Sequence, residues 1–516
     1  MVINNRMEKW SVREWYSGRG VLVTGGAGFM GKVLVEKLLR AAPDVGRVFL
    51  LLRPNKGKTV QQRLDDMLRS PMFNRIRNER KEVLEKLVPI QGDITFEDLG
   101  MSSEDMEEVV SEVSVVFHLA ASLRLEAPLA DNAALNLAGT RHALAAARRL
   151  PHLAVFVHVS TAFCYPEYKV LDEKIHSPPA EPDDVLRLCE WLDARQLALL
   201  EPTLLGAHPN TYTYTKRLAE SLVHAAYPEL SCVIARPSIV CPAVSEPLPG
   251  WVDSLNGPVG ILLGACKGVI RSMLCDARAV IPIIPVDYVI NGLLALAAIE
   301  GNKQTRSKDI PIYNLNSGDK KSTTWGEVLL MGRKYHLKHP LAWPLWYPHL
   351  KLTTNRFVHE TRRFLFHLAP AYLIDFLRLL ACQKRVMVKI QEKVTIGLNG
   401  LQFFTMREWH FPCTNFDSIP AILSEEDNKL LPTHEDFDGQ QYMNNTIEAG
   451  RVYCFKEDPA KVPFNRMYIN FLLVLDTLAK VALGGAAAWA LAAWGPAPAP
   501  LFNHVPLLGR AFQPSN

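Results

Sequence analysis

A short apolar run, Gly20-Val21-Leu22-Val23, leads straight into Thr24-Gly25-Gly26-Ala27-Gly28-Phe29-Met30-Gly31, and helical spacing takes over from Lys32 to Leu39. A buried strand, a glycine-rich turn and a helix opening on that turn leave little freedom of fold. Together they make a cradle for a dinucleotide pyrophosphate. Gly25 permits the tight turn, Gly28 lets backbone N–H groups approach phosphate, and Gly31 lets the helix close onto the strand. A glycine triplet alone occurs in ordinary tight turns. Its place between a strand and a helix carries the reading.

The next strand is expected over residues 47–52, with Arg53 at its end and Lys56 and Lys58 in the loop beyond. An NAD site places an acidic residue here for the ribose 2′-OH, whereas cations suit a 2′-phosphate. The pattern therefore favours NADPH, against the alternative of a solvated basic loop. Further apolar runs at residues 87–91, 115–121 and 154–159 alternate with helical patterns at 60–86 and 132–150. Such alternation predicts an α/β fold, a Rossmann-type doubly wound parallel sheet. Asp93, with Ile94 beside it, follows the third strand and faces the adenine or simply makes a turn. Ala120 is among the small residues that leave room for a cofactor, and His118 reads as packed. Ser160 and Thr161 stand at the carboxyl end of the fifth strand, where ligands of such sheets bind.

Residues 211–216, Thr-Tyr-Thr-Tyr-Thr-Lys, open another helix. Tyr212 and Lys216 are four apart and share a face, while Tyr214 points elsewhere. A free phenol titrates near pH ~10, too high for proton exchange at neutrality. A neighbouring ammonium is expected to lower that value. Tyr212 can then protonate a carbonyl oxygen as hydride reaches the carbon, Lys216 can also hold the nicotinamide ribose, and Thr161 can bond the same oxygen.

The nine cysteines never approach C-x-x-C spacing and no His/Cys cluster resembles a metal site, so no metal is expected. Net charge of +4 over 516 residues gives no nucleic-acid signal. The polar, charged start, residues 1–19, does not read as a signal peptide, and a reducing, cytosol-facing location is the plain expectation.

T-G-x-x-G-x-x-G, V-S-T-A and Y-x-x-x-K together resemble an extended short-chain dehydrogenase/reductase. By that comparison Thr161 takes the catalytic hydroxyl position, Ser160 flanks it, and Pro237 and Ser238 lie near the nicotinamide; a strand end with a structural proline is the alternative. The opening at Gly26–Arg40, Leu51-Leu52-Arg53-Pro54, Leu248-Pro249-Gly250-Trp251, Pro285-Val286-Asp287-Tyr288-Val289-Ile290-Asn291 and the C-terminal third, with Phe403-Phe404-Thr405-Met406, resemble fatty acyl-CoA reductases of the insect type. The resemblance implies NADPH-dependent reduction of a long-chain acyl-CoA to the alcohol through an aldehyde-level intermediate, with release of CoA. It also implies a catalytic domain over residues 1–335, a helical domain over 350–460, and attachment to an endoplasmic reticulum or peroxisomal membrane. A sugar-nucleotide or steroid enzyme on the same scaffold, or a silent NADP-binding scaffold, would be the competing classes.

Two segments are less determined. Residues 251–263, with Gly250, Gly257 and Gly260, suit either a flexible lip over a lipid tunnel or a plain loop. Residues 364–380 read as a helix packed on its own domain, with a membrane-surface helix as the alternative, broken or kinked at Pro370. Residues 467–494 form the longest apolar stretch and read as membrane-associated or transmembrane, interrupted by Asp476 and Lys480.

Overall fold

The computed structural model describes residues 10–55, 57–317 and 323–494. Seven parallel strands form the central sheet: β1 (Gly20–Thr24), β2 (Val48–Leu52), β3 (Leu87–Gln91), β4 (Val113–His118), β5 (Val155–Val159), β6 (Cys232–Pro237) and β10 (Ile312–Leu315). Their spatial order is β10-β6-β5-β4-β1-β2-β3. Chain order reverses between β1 and β4, so the crevice for a ligand opens there. Most strands are buried throughout, because helices cover both faces; this is why they read as continuous apolar runs rather than alternating ones.

Two short parallel pairs complete the strands: β7 (Ile239–Cys241) with β9 (Ile283–Pro285), and β8 (Ser272–Leu274) with β11 (Lys351–Thr353). Helix α1 (Phe29–Ala41) follows the glycine turn, and α2 (Thr211–Ala226) precedes β6. Helix α3 (Val286–Gly301) is apolar nearly all round and correspondingly buried, one face towards the sheet and another towards the C-terminal region. Gly292 sits against Phe416 of that region: a Cβ there would fall 2.6 Å from the Phe416 ring.

The helical pattern at residues 60–86 resolves into short helices, since Pro71 starts a new turn after Ser70 and cannot continue the old one. Residues 251–256 are irregular, and residues 257–263 belong to a helix. Trp251 is buried against Tyr453, and Gly257–Cys266 is a helix embedded in its own apolar cluster. Gly250 and Gly260 serve close packing, a Cβ there falling 2.2 Å from the Asn445 and 2.1 Å from the Leu255 carbonyl oxygen, whereas Gly257 has open space and a φ of +59°.

The C-terminal third is mainly helical. Arg356–Arg363, a π turn at Phe364–Leu368 and α4 (Ala369–Leu380) run on continuously. Pro370 therefore neither breaks nor ends the helix. The wider turn just before it absorbs the missing N–H. Nor does α4 bury its apolar stripe: Leu373, Phe376, Leu377 and Leu380 are more than half exposed. Helix α5 (Met387–Thr405) follows.

The last described element is α6 (Val462–Trp494). Its first half packs through Asn465, Ile469, Leu472 and Asp476, and residues 481–490 are exposed on every side. Asp476 does not stand alone in an apolar stretch. It is buried between Arg271 (2.9 Å), the Trp346 indole N–H (2.5 Å) and Lys480 (2.5 Å).

Candidate active site

The cradle forms where β1, β4 and α1 meet. Gly25 has φ of +75°, and a Cβ there would lie 2.7 Å from the Ala120 nitrogen. A Cβ on Gly31 would lie 2.3 Å from the Gly25 carbonyl oxygen. Only glycine permits this turn and this approach of helix to strand. Gly28 donates its N–H to the Gly25 carbonyl at 2.9 Å and leads into α1 with no side-chain cap. The first N–H groups of α1, from Phe29 and Met30 onward, therefore lack intrahelical partners and point out of the helix end, as an anion requires. Gly26 packs on Leu50 of β2.

Thr24 is buried and its hydroxyl is committed inside the protein. It meets His118 Nδ1 at 2.8 Å and accepts the Ala120 N–H at 3.2 Å, tying the ends of β1 and β4 together. His118 is packed, stacked on His158 at 5.6 Å, and burial brings its imidazole down to about 3, so it stays neutral.

Arg53 leaves the end of β2 with its side chain 60% exposed, 3.4 Å from Asp93. Asp93 also accepts from the Thr95 N–H and hydroxyl, both at 3.0 Å. Ile94 is buried against Gly139, and its carbonyl meets His142 Nδ1 at 2.9 Å. Lys56 lies outside the described residues.

The second part of the site lies at the ends of β5 and β6. Ser160 donates its N–H to the Ala235 carbonyl at 2.7 Å, and the Pro237 carbonyl accepts from Ala162 at 2.9 Å. Ser238 donates its hydroxyl to Asn316 at 3.0 Å. Thr161 lies two residues past the end of β5, and the Tyr212 phenol meets its side chain. Lys216, one turn along α2, donates to the Val159 carbonyl at 2.7 Å. Tyr214 is buried against His208, away from this group.

The expected lowering of the phenol is not what the structure gives. Burial pushes Tyr212 up to about 12, against the opposing pull of Thr161. The ammonium of Lys216 is turned to a backbone carbonyl, and burial brings it down to about 8 while Glu220 opposes the fall. At neutral pH the phenol keeps its proton and the lysine keeps most of its charge. That state suits a proton donor beside a cation.

Two sets of residues escaped the sequence reading. Glu220 lies one turn beyond Lys216 on the same face of α2, and a period of four continued from Tyr212 would have reached it. Its carboxylate pairs with Arg236 of β6 at 2.7 Å, with both side chains fully buried. Burial would raise this carboxyl, but the guanidinium outweighs it and holds it below its ordinary value. Tyr165 (3.1 Å) and Cys164 (3.3 Å) donate to the same carboxylate. The second set joins α2 to the helical segment after β4: Asn132 donates to Thr211 at 2.7 Å and Asn136 to Thr215 at 3.1 Å. Two asparagines four apart thus hold two threonines four apart, at a π turn over Ala133–Ala138.

A seven-stranded parallel sheet with a glycine cradle at its switch point, and a Thr-Tyr-Lys group two strands along, defines an oxidoreductase that binds a nicotinamide dinucleotide. A family model described as male sterility protein matches residues 23–293, and a second with the same description matches residues 366–457. The chain is 35% identical to fatty acyl-CoA reductase 1 of Mus musculus over 90% of both chains, and 35% identical to fatty acyl-CoA reductase 2 of Bos taurus over 92% of both. Among solved structures, the terminal R domain from the myxalamid PKS-NRPS pathway superposes with a TM-score of 0.57 at 20% identity, covering 86% of this chain and 93% of that one. A reductase domain of a non-ribosomal peptide synthetase from Mycobacterium tuberculosis gives 0.55 at 16% identity, covering 86% and 95%. These two agree in fold. The chain belongs to the fatty acyl-CoA reductase family.

Proposed function

We propose that the protein reduces long-chain fatty acyl-CoA to the primary alcohol with NADPH, releasing CoA. The observation that carries this reading is the group at the end of β5: Thr161 and Tyr212 side by side, with the charged Lys216 one turn away. Bound NADPH supplies hydride to the carbonyl carbon. Thr161 donates a hydrogen bond to the carbonyl oxygen, and Tyr212 passes it a proton. Lys216 steadies the negative charge left on the phenolate and holds the nicotinamide ribose. The first reduction gives a hemithioacetal, which loses CoA as the thiol to leave an aldehyde. The second reduction places charge on the same oxygen, so the same three residues serve it and yield the alcohol.

Residues 24–31 would hold the pyrophosphate, Asp93 and Ile94 the adenine side, and Ala120, Ser160, Pro237 and Ser238 the nicotinamide side. Arg53, with Lys56 after it in sequence, supports a 2′-phosphate over a 2′-OH. Helix α6 is long and apolar enough to cross a membrane, which supports attachment with the catalytic part facing the cytosol, at the endoplasmic reticulum or peroxisome. Residues 1–335 would form the catalytic unit and 350–460 the second.

The test is purified protein with NADPH and acyl-CoA of several chain lengths, followed by cofactor absorbance, free thiol and product analysis. Two NADPH oxidised per CoA released, with alcohol as product, supports the reading. Oxidation only with sugar-nucleotide or steroid ketones removes it.

A further inference from the structure

The apolar stripe of α4 faces outward. Leu373, Phe376, Leu377 and Leu380 recur at i, i+3, i+4 and i+7 and are 54–68% exposed, while Ala371 and Asp375 form the buried face. A helix of a soluble domain has the opposite arrangement, and so large a contiguous apolar face signals a partner. The face is not a frayed end. The Asp375 carboxylate accepts the N–H groups of Val386, Met387 and Val388, each at 2.9 Å, and fixes the turn into α5.

The surroundings select the partner. Residues 361–393 hold seven Lys and Arg against two Asp and Glu, and one of the two acids is the buried Asp375. Lys384, Arg385, Lys389 and Lys393 are exposed just beyond the stripe. An apolar stripe bordered by cations matches acyl chains beneath anionic headgroups.

The segment that leads into α4 is also tied to α6. Arg271 donates its backbone N–H to His367 Nε2 at 2.9 Å, two residues before α4, and its guanidinium to Asp476 of α6 at 2.9 Å. The start of α4 and the packed half of α6 are thus held through one buried residue. Past Lys480, α6 has fourteen described residues, about 21 Å of helix against a hydrocarbon core of about 30 Å.

We infer that α4 lies in the headgroup–acyl boundary of an anionic phospholipid bilayer, as a second membrane contact beside α6. The inference rests on the membrane attachment proposed above. It is tested on the full chain with Leu377→Cys carrying nitrobenzoxadiazole, in a Cys382→Ser background, because Cys382 is the exposed cysteine among the described residues. Vesicles of phosphatidylcholine with and without phosphatidylserine are added. Blue-shifted emission, quenched by spin-labelled acyl chains and strongest with phosphatidylserine, is the expected result. Leu373→Asp with Phe376→Asp should weaken vesicle binding roughly tenfold or more, with NADPH binding retained as the check on folding.

A probe that stays in water while the protein floats with vesicles overturns the inference and leaves attachment through α6 standing. Protein that does not float overturns both. A shift without vesicles that grows with protein concentration means that a second copy covers the stripe, and overturns the lipid assignment. Equal binding to neutral vesicles overturns the role of the cations.

Discussion

The carboxylate of Glu220 and the guanidinium of Arg236 share two hydrogen bonds, at 2.9 and 2.7 Å, with both side chains fully buried. The pair stands one turn beyond Lys216 and ties α2 to β6, so the helix carrying Tyr212 is fixed against the strand that leads to Pro237 and Ser238. Removing one member of a buried pair leaves the other charged and unpaired, which costs about 3–5 kcal/mol. Glu220→Gln should lower stability by roughly that amount in thermal or denaturant unfolding. It should also move the alkaline limb of activity to lower pH, because Glu220 opposes the fall of the Lys216 ammonium. An unshifted limb would detach Glu220 from the lysine.

Activity should fall as pH rises through about 8, where Lys216 loses its proton. The sign for stability is opposite. Between about 8 and the ordinary lysine value of 10.5, the unfolded chain holds a proton that the folded protein has lost. The contribution of this group to stability therefore rises with pH across that window and is least below it. A pH profile of kcat/KM beside unfolding at the same pH values checks both directions.

Gly25→Ala should abolish dinucleotide binding and reduce stability, since the new Cβ must sit 2.7 Å from the Ala120 nitrogen at a φ of +75°. NADPH titration and a melting curve read the two effects. Gly397→Ala, inside α5 with open space around it, should leave NADPH binding unchanged and raise stability by about 0.5–1 kcal/mol.

Arg53→Ala should raise the KM for NADPH roughly ten- to a hundredfold, the worth of a charge-assisted hydrogen bond to phosphate. The KM for NADH should change little. Equal loss with both cofactors would mean that Arg53 does not contact the 2′-phosphate.

Local patterns in the chain were legible because their causes are local. The glycine turn, the apolar strands and the shared face of Tyr212 and Lys216 each depend on neighbours a few residues away. Glu220 with Arg236 and Asn136 with Thr215 are long-range pairs, and nothing in either segment alone names its partner. The charge state of Tyr212 depends on how much apolar mass surrounds the phenol, so spacing to Lys216 could not set it. The outward face of α4 was hidden for another reason: a stripe at helical period has the same sequence whether it meets a core or a bilayer. The glycines near Trp251 suggested flexibility, whereas the backbone of Asn445 explains Gly250 as close packing.

The central claim is that the Tyr212 phenol protonates the substrate oxygen as hydride arrives. Its most direct test is Tyr212→Phe assayed with acyl-CoA and NADPH, alongside NADPH binding measured by fluorescence. Loss of a positioned proton donor should reduce kcat by roughly 10²–10⁴-fold with NADPH affinity almost unchanged. Turnover at the unsubstituted rate would contradict the account.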